Sequence, residues 1–242
     1  MLYAPIERFG AALRTLTSFD DLRAAFIEHF HAEGVRMMSY HHLPPPGASD
    51  YDQPLTVIAE GFPDAWVQRY TDDGLHDCDP ITRHAQNAFH AFWWSDARAF
   101  ADLDDAERNY LVAMDEAALG DGLAVPLFGP HGRNGYAGLG CGCDARPYDD
   151  DHVMRLQLAA QLGHQQYCHI LFAEAPDNIR LSKREREVLE WVAKGKSNSV
   201  IAEIVGISMN TVDTYLRRIY EKLDVSDRVT ASLRGLAVGL IA

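Results

Sequence analysis

The sequence predicts two domains of different class: an α+β domain built as an α/β/α sandwich on a largely antiparallel five-stranded sheet, then an all-α domain of four helices. Over the first 172 residues, short strand-like apolar runs alternate with stretches of helical periodicity, whereas only helical periodicity follows position 181. Between them, the segment AEAPDNIR breaks the periodicity with Pro176. We therefore expect domains at 1–172 and 181–242, joined by a linker at 173–180.

The individual elements follow from periodicity and from capping residues. Ser18 or Asp20 can cap the second helix, prolines stand at the start of the third and fourth, and Gly120 follows the fifth. The expected helices of the first domain span 4–16, 19–33, 63–71, 80–90, 103–119 and 147–172. The expected strands span 35–43, 54–59, 92–95, 123–128 and 136–141. The C-terminal helices are expected at 182–194, 197–204, 208–222 and 226–238.

The formal net charge of −13 would not by itself suggest a nucleic-acid partner, but the charge is unevenly distributed. The first 176 residues contain 11 arginines, no lysine and 26 acidic residues, whereas the remainder carries 11 basic and 9 acidic residues. Such asymmetry indicates two domains with different partners. There is no apolar stretch long enough to span a membrane, and four cysteines fit a reducing compartment. Glu7 and Arg8 interrupt what would have to be the apolar region of a secretory signal, so none is expected. We expect a cytoplasmic protein without a membrane partner.

The C-terminal module carries the pattern of a helix-turn-helix. Ser182 and Glu185 form a capping box, and Gly206 lies in a tight turn before Ser208, which can cap the next helix. One face of that helix is apolar and the other carries hydroxyl groups and cations, which suit base edges and phosphates. The start of the helix also suits a phosphate. A helical bundle with a solvated basic face is the alternative that periodicity alone leaves open.

Residues 181–225 as a whole resemble the DNA-binding domain of LuxR-type regulators. The match includes Glu185, Leu189, Gly195, the segment Asn210–Val212, and Lys222 with Leu223. It implies groove contacts from the third helix, although Asp213 and Arg218 depart from residues common in the family, so sequence preference is not transferable. The expected DNA-binding residues are Ser208, Asn210, Thr211, Val212, Thr214, Tyr215, Arg217, Arg218 and Lys222.

Several families attach different N-terminal domains to this module, and the first 176 residues exclude two of them. A phosphorelay receiver needs a lysine near its phosphorylated aspartate, and this segment has none. The segment contains no G-x-S-x-G, H-E-x-x-H or P-loop motif that would indicate an enzyme. The run from Gly138 through Gly140 to Gly142 lies in a strand pattern, where close packing explains it better than a dinucleotide site.

An aromatic and acidic constellation lies between residues 62 and 94. Trp66 and Tyr70 share one face of a short helix, Asp79 precedes Pro80, and Trp94 ends an aromatic run. Each has a structural alternative, because Asp79 can cap a helix and the tryptophans can be core. Together they resemble the N-acyl homoserine lactone domain of LuxR-type quorum sensors. The six signature positions of that family are matched by Trp66, Tyr70, Asp79, Pro80, Trp94 and Gly122.

The resemblance implies that Asp79 accepts from the amide N–H, Trp66 donates to the lactone carbonyl and Tyr70 donates to the amide carbonyl. Trp94 would form a flat wall for the ring. Phe62, Ala124 and Gly138 stand where several relatives carry hydroxyl groups. We therefore expect a less hydroxylated, roomier pocket and an acyl chain that is long, bulky or unsubstituted at its third carbon.

The resemblance also implies partners. We expect a homodimer, paired through helices 147–172 and 226–238, on an inverted-repeat operator in double-stranded DNA, with RNA polymerase as a further candidate partner. No cofactor or metal is expected beside the lactone, and the histidines are expected to be solvated or satisfied in the core. The competing hypothesis is an orphan regulator that responds to another small molecule or acts without ligand.

Overall fold

The computed structural model describes all residues except 1–3, 52, 54–56, 144 and 175–178. The chain divides into two compact units, one containing the sheet and the other the C-terminal helices. The helices of the first unit are α1 (Ala4–Leu13), α2 (Phe19–Ala32), α3 (Asp64–Thr71), α4 (Pro80–Ala85), α5 (Asp105–Glu116) and α6 (Asp150–Glu174). Its strands are β1 (Met37–Leu43), β2 (Val57–Glu60), β3 (Phe92–Trp93), β4 (Asp121–Leu127) and β5 (Asn134–Cys143).

The sheet has the order β2-β1-β5-β4-β3, and every neighbouring pair is antiparallel. The predicted five-stranded antiparallel sheet is therefore confirmed. The third strand is shorter than expected, because Trp94–Ala99 form a 3₁₀ helix instead of extending it. Asp96 stabilises this helix start by accepting from the backbone N–H of Trp93 at 3.1 Å. The predicted helix over 80–90 ends early, at Ala85.

The two faces of the sheet belong to two hydrophobic clusters, as alternation along a strand requires. Met38 and Tyr40 of β1 join the cluster that includes Phe30 of α2 and Leu156 of α6. Met37, one position earlier, joins the other cluster, which includes Tyr110 of α5. The predicted sandwich is thus present, with α1, α2 and α6 on one face and α3, α4 and α5 on the other.

The second unit consists of four helices, α7 (Lys183–Ala193), α8 (Asn198–Val205), α9 (Met209–Leu223) and α10 (Arg228–Ala237). Gly206, with φ of 71°, ends α8 in the left-handed conformation that glycine adopts without strain. The predicted capping box at the start of α7 is present. α6 continues to Glu174, and four residues of the expected linker, 175–178, lie outside the described residues. In the described part of the chain, no helix has the length and hydropathy to cross a bilayer.

Candidate functional site

A cavity of about 310 Å³ lies in the first unit, between the sheet and helices α3, α4 and α5. Five of the seven predicted ligand-binding side chains line it: Phe62, Trp66, Tyr70, Asp79 and Trp94. A second cavity, of about 370 Å³, involves the opposite face of the sheet and α2. Its lining includes none of the predicted residues, so the first cavity is the candidate site.

Helix α3 presents Trp66 and Tyr70 to this cavity from one face. Their i, i+4 spacing places both rings side by side, with centroids 6.2 Å apart, and each residue is only 6% exposed. Tyr110 of α5 packs edge-on against both rings. The indole N–H of Trp66 donates to no other group in the described part of the chain, which leaves it available to a ligand.

Asp79 caps a helix and also lines the cavity. Its Oδ1 accepts from the backbone N–H groups of Ile81 and Thr82 at 2.8 and 3.1 Å, which caps α4. Its Oδ2 accepts from the hydroxyls of Tyr70 and Thr82, both at 2.7 Å. Burial raises the pKa of Asp79, while these four donors oppose the rise by favouring the carboxylate. The same carboxylate therefore starts a helix and faces the cavity.

The bond to Asp79 changes what is expected of Tyr70. A phenol has one proton to donate, and Tyr70 donates it to Asp79. To donate to a ligand carbonyl, as the resemblance implies, Tyr70 would have to give up that bond. In the structure Tyr70 therefore supports the carboxylate.

Trp94 lines the cavity with its aromatic ring. It is 5% exposed, and its ring stacks on Phe62 with centroids 6.3 Å apart and an angle of 29° between the planes. Gly122 is needed beside it, because a Cβ there would lie 2.8 Å from two carbon atoms of the Trp94 ring. The glycine at this signature position thus allows the indole to lie flat against β4.

Ala124 and Gly138 do not line the cavity. They are paired across β4 and β5, and Gly138 is paired with Ser39 of β1. A Cβ on Gly138 would lie 2.6 Å from Ser39 Oγ and 3.0 Å from the hydroxyl of Tyr136. Neighbouring side chains therefore fill the space that the glycine leaves. Phe62, Ala124 and Gly138 thus bring no hydroxyl group to the cavity, whereas Ser39, Tyr110 and Tyr136 bring hydroxyl-bearing side chains to its lining.

His41 also lines the cavity, although it is not among the ligand-binding residues expected from the sequence. It is 2% exposed, and neither ring nitrogen hydrogen-bonds another described residue; Nδ1 is fully buried. Burial, together with nearby His76, lowers the pKa of His41 to about 3, so the ring is neutral. The expectation of a solvated or satisfied histidine is wrong here. Period-2 alternation along β1, which separates His41 from His42, was the signal that could have found it.

The described residues contain no group of three or more His, Cys, Asp or Glu side chains arranged to hold a metal ion.

The second candidate surface is α9. Ser208 caps it by accepting from the backbone N–H of Thr211 at 3.2 Å. Asn210, Thr214, Arg217 and Arg218 are exposed along the helix. The two arginines make no ion pair with any described residue, so both cations are available to phosphate or base.

Three predicted DNA-binding residues of α9 have structural roles. Val212 is 0% exposed and packs in the core of the helical unit, so the expectation that its side chain contacts DNA is wrong. Tyr215 is half-buried against the same core. Lys222 donates to Glu185 of the capping box at 2.6 Å. Burial acts to raise the pKa of Glu185, but the bonds from Lys222 and the Ser182 N–H outweigh it and lower the pKa.

Comparison with known families assigns a family to each of the two domains. Residues 18–167 match the family model of the autoinducer binding domain, and residues 180–234 match that of bacterial regulatory proteins of the luxR family. The chain belongs to the LuxR family of quorum-sensing regulators. It is a transcription factor with an autoinducer-binding domain and a DNA-binding domain, and the family consists of regulators, not enzymes.

Individual relatives cover most of this LuxR-family chain. The putative HTH-type transcriptional regulator y4qH of Sinorhizobium fredii is 33% identical over 91% of this chain and 67% of its own length. The quorum-sensing-dependent regulator RpaR of Rhodopseudomonas palustris is 30% identical over 78% of this chain and 76% of its own. Escherichia coli SdiA has a similar fold, with a TM-score of 0.74 at 18% identity over 95% of this chain and 94% of that chain.

Proposed function

We propose that the cavity binds an N-acyl homoserine lactone and that the occupied protein binds an inverted-repeat operator as a homodimer. The observation that carries this proposal is the pairing of a buried carboxylate, Asp79, with the available indole N–H of Trp66 in one cavity. An acyl homoserine lactone offers an amide N–H and carbonyl acceptors. An ionised carboxylate accepts from the first when one of its present donors, such as the Tyr70 hydroxyl on Oδ2, gives up its bond, and an indole donates to a carbonyl.

The apolar lining supports an acyl tail. Away from Asp79, the cavity wall includes Val57, Ile81, Met114 and Leu119. Burial of a methylene group contributes about 0.8 kcal/mol, so a tail of several carbons adds substantial affinity. The related regulator SdiA has been solved in complex with octanoyl-rac-glycerol, which also carries an acyl chain.

Exposed apolar side chains on α10 support pairing of two chains. Val229, Leu233 and Leu236 follow i, i+4, i+7 spacing and are 64%, 37% and 39% exposed, so one helix face is apolar and accessible. On α6, Leu158 is 41% exposed. These are the two helices through which the sequence predicts dimerisation. A two-fold dimer of helix-turn-helix units places its half-sites about one helical turn apart.

The experiment that tests the ligand is mass spectrometry of small molecules that copurify with the full chain. The protein is expressed in a host that makes several acyl homoserine lactones and in an isogenic host that makes none. We expect a stoichiometric lactone from the first host only, and higher thermal stability of that preparation, because a ligand that binds the folded state stabilises it. Another copurified molecule, or equal stability of both preparations, would favour the orphan hypothesis.

A further inference from the structure

We propose that Ser39 and His41 of β1 form a polar subsite that binds an oxygen substituent on the acyl chain. This inference rests on the proposed lactone function and deepens it, since it names which lactones the cavity selects. It replaces the expectation from the sequence of a chain unsubstituted at its third carbon, because that expectation did not include Ser39 and His41 in the lining. Both side chains line the cavity, and the two positions lie on the same face of the strand because they are two residues apart.

The first argument is the unsatisfied imidazole. His41 is 2% exposed, yet neither ring nitrogen hydrogen-bonds another described residue. Buried polar groups in proteins almost always have a partner, and leaving one unpaired is unfavourable. A ligand that enters the cavity can supply that partner. A neutral imidazole offers one donor and one acceptor, so it can bind a hydroxyl or a keto oxygen.

The second argument is the placement of the serine hydroxyl. Gly138 lacks a side chain directly across from Ser39, and the Ser39 Oγ lies 2.6 Å from where a Cβ would be. The glycine thereby allows this hydroxyl to stand beside Trp94 and Tyr136. Ser39 Oγ makes no hydrogen bond to any other residue in the described ranges, so its donor and its acceptor are both available.

The third argument is distance from the amide position. The His41 ring lies 5.6 Å, centroid to centroid, from that of Tyr70, whose hydroxyl binds Asp79. A ligand amide that donates to Asp79 therefore places the first few carbons of its acyl chain near β1. An oxygen on the third carbon is within the reach of these two side chains, whereas an unsubstituted chain leaves the imidazole unpaired.

The test compares three ligands of equal chain length by isothermal titration to the full chain: N-octanoyl-, N-(3-oxooctanoyl)- and N-(3-hydroxyoctanoyl)-homoserine lactone. We expect at least one of the oxygen-substituted lactones to bind about tenfold more tightly than the unsubstituted one. The tighter of the two identifies the preferred substituent. Equal or weaker binding of both oxygen-substituted lactones would overturn the inference. Failure of all three to bind would instead contradict the proposed lactone function.

Two variants locate the preference. His41→Phe and Ser39→Ala should each reduce the ratio of the affinities for the oxygen-substituted and the unsubstituted lactone at least threefold. His42→Phe is the matched control, because His42 lies on the opposite face of β1 against Tyr167. If His41→Phe does not fold, the Ser39→Ala variant and the ratio of wild-type affinities for the substituted and unsubstituted lactones still test the inference. A preference retained in Ser39→Ala and His41→Phe would remove these residues from the subsite.

Discussion

The hydroxyl of Tyr70 donates to Oδ2 of Asp79 across 2.7 Å, which joins α3 to the start of α4 beneath the cavity. Both residues are 6% exposed. The same carboxylate caps α4 through its other oxygen, so a group expected to meet the ligand also stabilises the local fold. Loss of either partner should therefore affect the stability of the domain before any ligand is considered.

Tyr70→Phe removes one of the four donors to Asp79 and leaves a buried carboxylate with fewer partners. We expect the free energy of unfolding at pH 7 to fall by about 1–3 kcal/mol, because bonds to charged buried groups are strong. Chemical denaturation of the ligand-free protein measures this loss.

Thr71→Val is the matched control for that measurement. Thr71 is on the same helix, but its hydroxyl bonds to the carbonyl of Val67 and to Asp72 at the surface. Loss of the Thr71 hydroxyl should lower the free energy of unfolding by less than about 0.5 kcal/mol. Equal effects of the two variants would show that the bond between Tyr70 and Asp79 contributes nothing specific.

Much of this architecture could be predicted from the sequence, because local signals and tertiary structure agree. The order of strands and helices follows from periodicity and from caps such as Ser182 and Ser208. The Trp66–Tyr70 spacing on one helix face predicted their common side of the cavity. The predicted length of strand β3 was too great, because an aromatic run is compatible with both a strand and the 3₁₀ helix that begins at Trp94.

The parts that could not be predicted depend on contacts between distant segments. That Ser39 fills the space at Gly138 requires the register of β1 against β5, which local pattern does not give. The role of Val212 shows a different limit. Helical periodicity puts Val212 on the apolar face of α9, whereas the resemblance made it a groove contact, and the structure agrees with the periodicity.

His41→Phe should make the domain less sensitive to acid. Burial, with the help of His76, lowers the pKa of His41 to about 3, whereas an unfolded histidine titrates near 6.5. As pH falls below about 6.5, the unfolded state gains a proton that the folded state does not, so folding stability declines. Between pH 6.5 and 5 this single group contributes a loss of about 2 kcal/mol.

Denaturation at pH 7, 6 and 5 on wild type and variant measures the difference. We expect the wild-type free energy of unfolding to fall more steeply than that of His41→Phe over this interval. The other titrating groups are present in both proteins, so the comparison isolates His41. Parallel pH dependences would show that the folded state protonates this ring as readily as the unfolded state.

Arg217→Ala should lower operator affinity by about 1–3 kcal/mol if this exposed arginine reads a base. Its side chain has no ion-pair partner within the described residues, so its removal leaves the domain intact. Electrophoretic mobility shifts on the operator and on scrambled DNA of equal length measure the effect. A loss confined to the operator identifies base recognition.

Arg218→Ala provides the comparison on the adjacent position. If Arg218 contacts a phosphate, its removal weakens binding to both DNAs alike and lowers the salt dependence of affinity.

Val212→Ala should act differently, lowering the stability of the helical unit, because Val212 is fully buried. A change of sequence preference in Val212→Ala without loss of stability would contradict the core placement.

Leu236→Asp should weaken pairing of two chains through α10. The residue is 39% exposed on the apolar face with Val229, so a charge there is tolerated in the monomer and unfavourable in a dimer interface. Sedimentation of the lactone-bound protein should show a shift toward monomer, with weaker binding to the two-half-site operator. Val112→Asp, at an exposed position on α5, is the control. An unchanged association state would exclude α10 from the interface.

The central claim is that Asp79 holds a lactone in this cavity, and direct titration of Asp79→Asn tests it most directly. Asparagine retains an oxygen that can cap α4, so the fold is kept while the charge is lost. In calorimetry with the lactone that copurifies, we expect wild type to bind one ligand per chain and the variant to bind at least about 2 kcal/mol more weakly. Equal affinities of the two proteins would contradict the account.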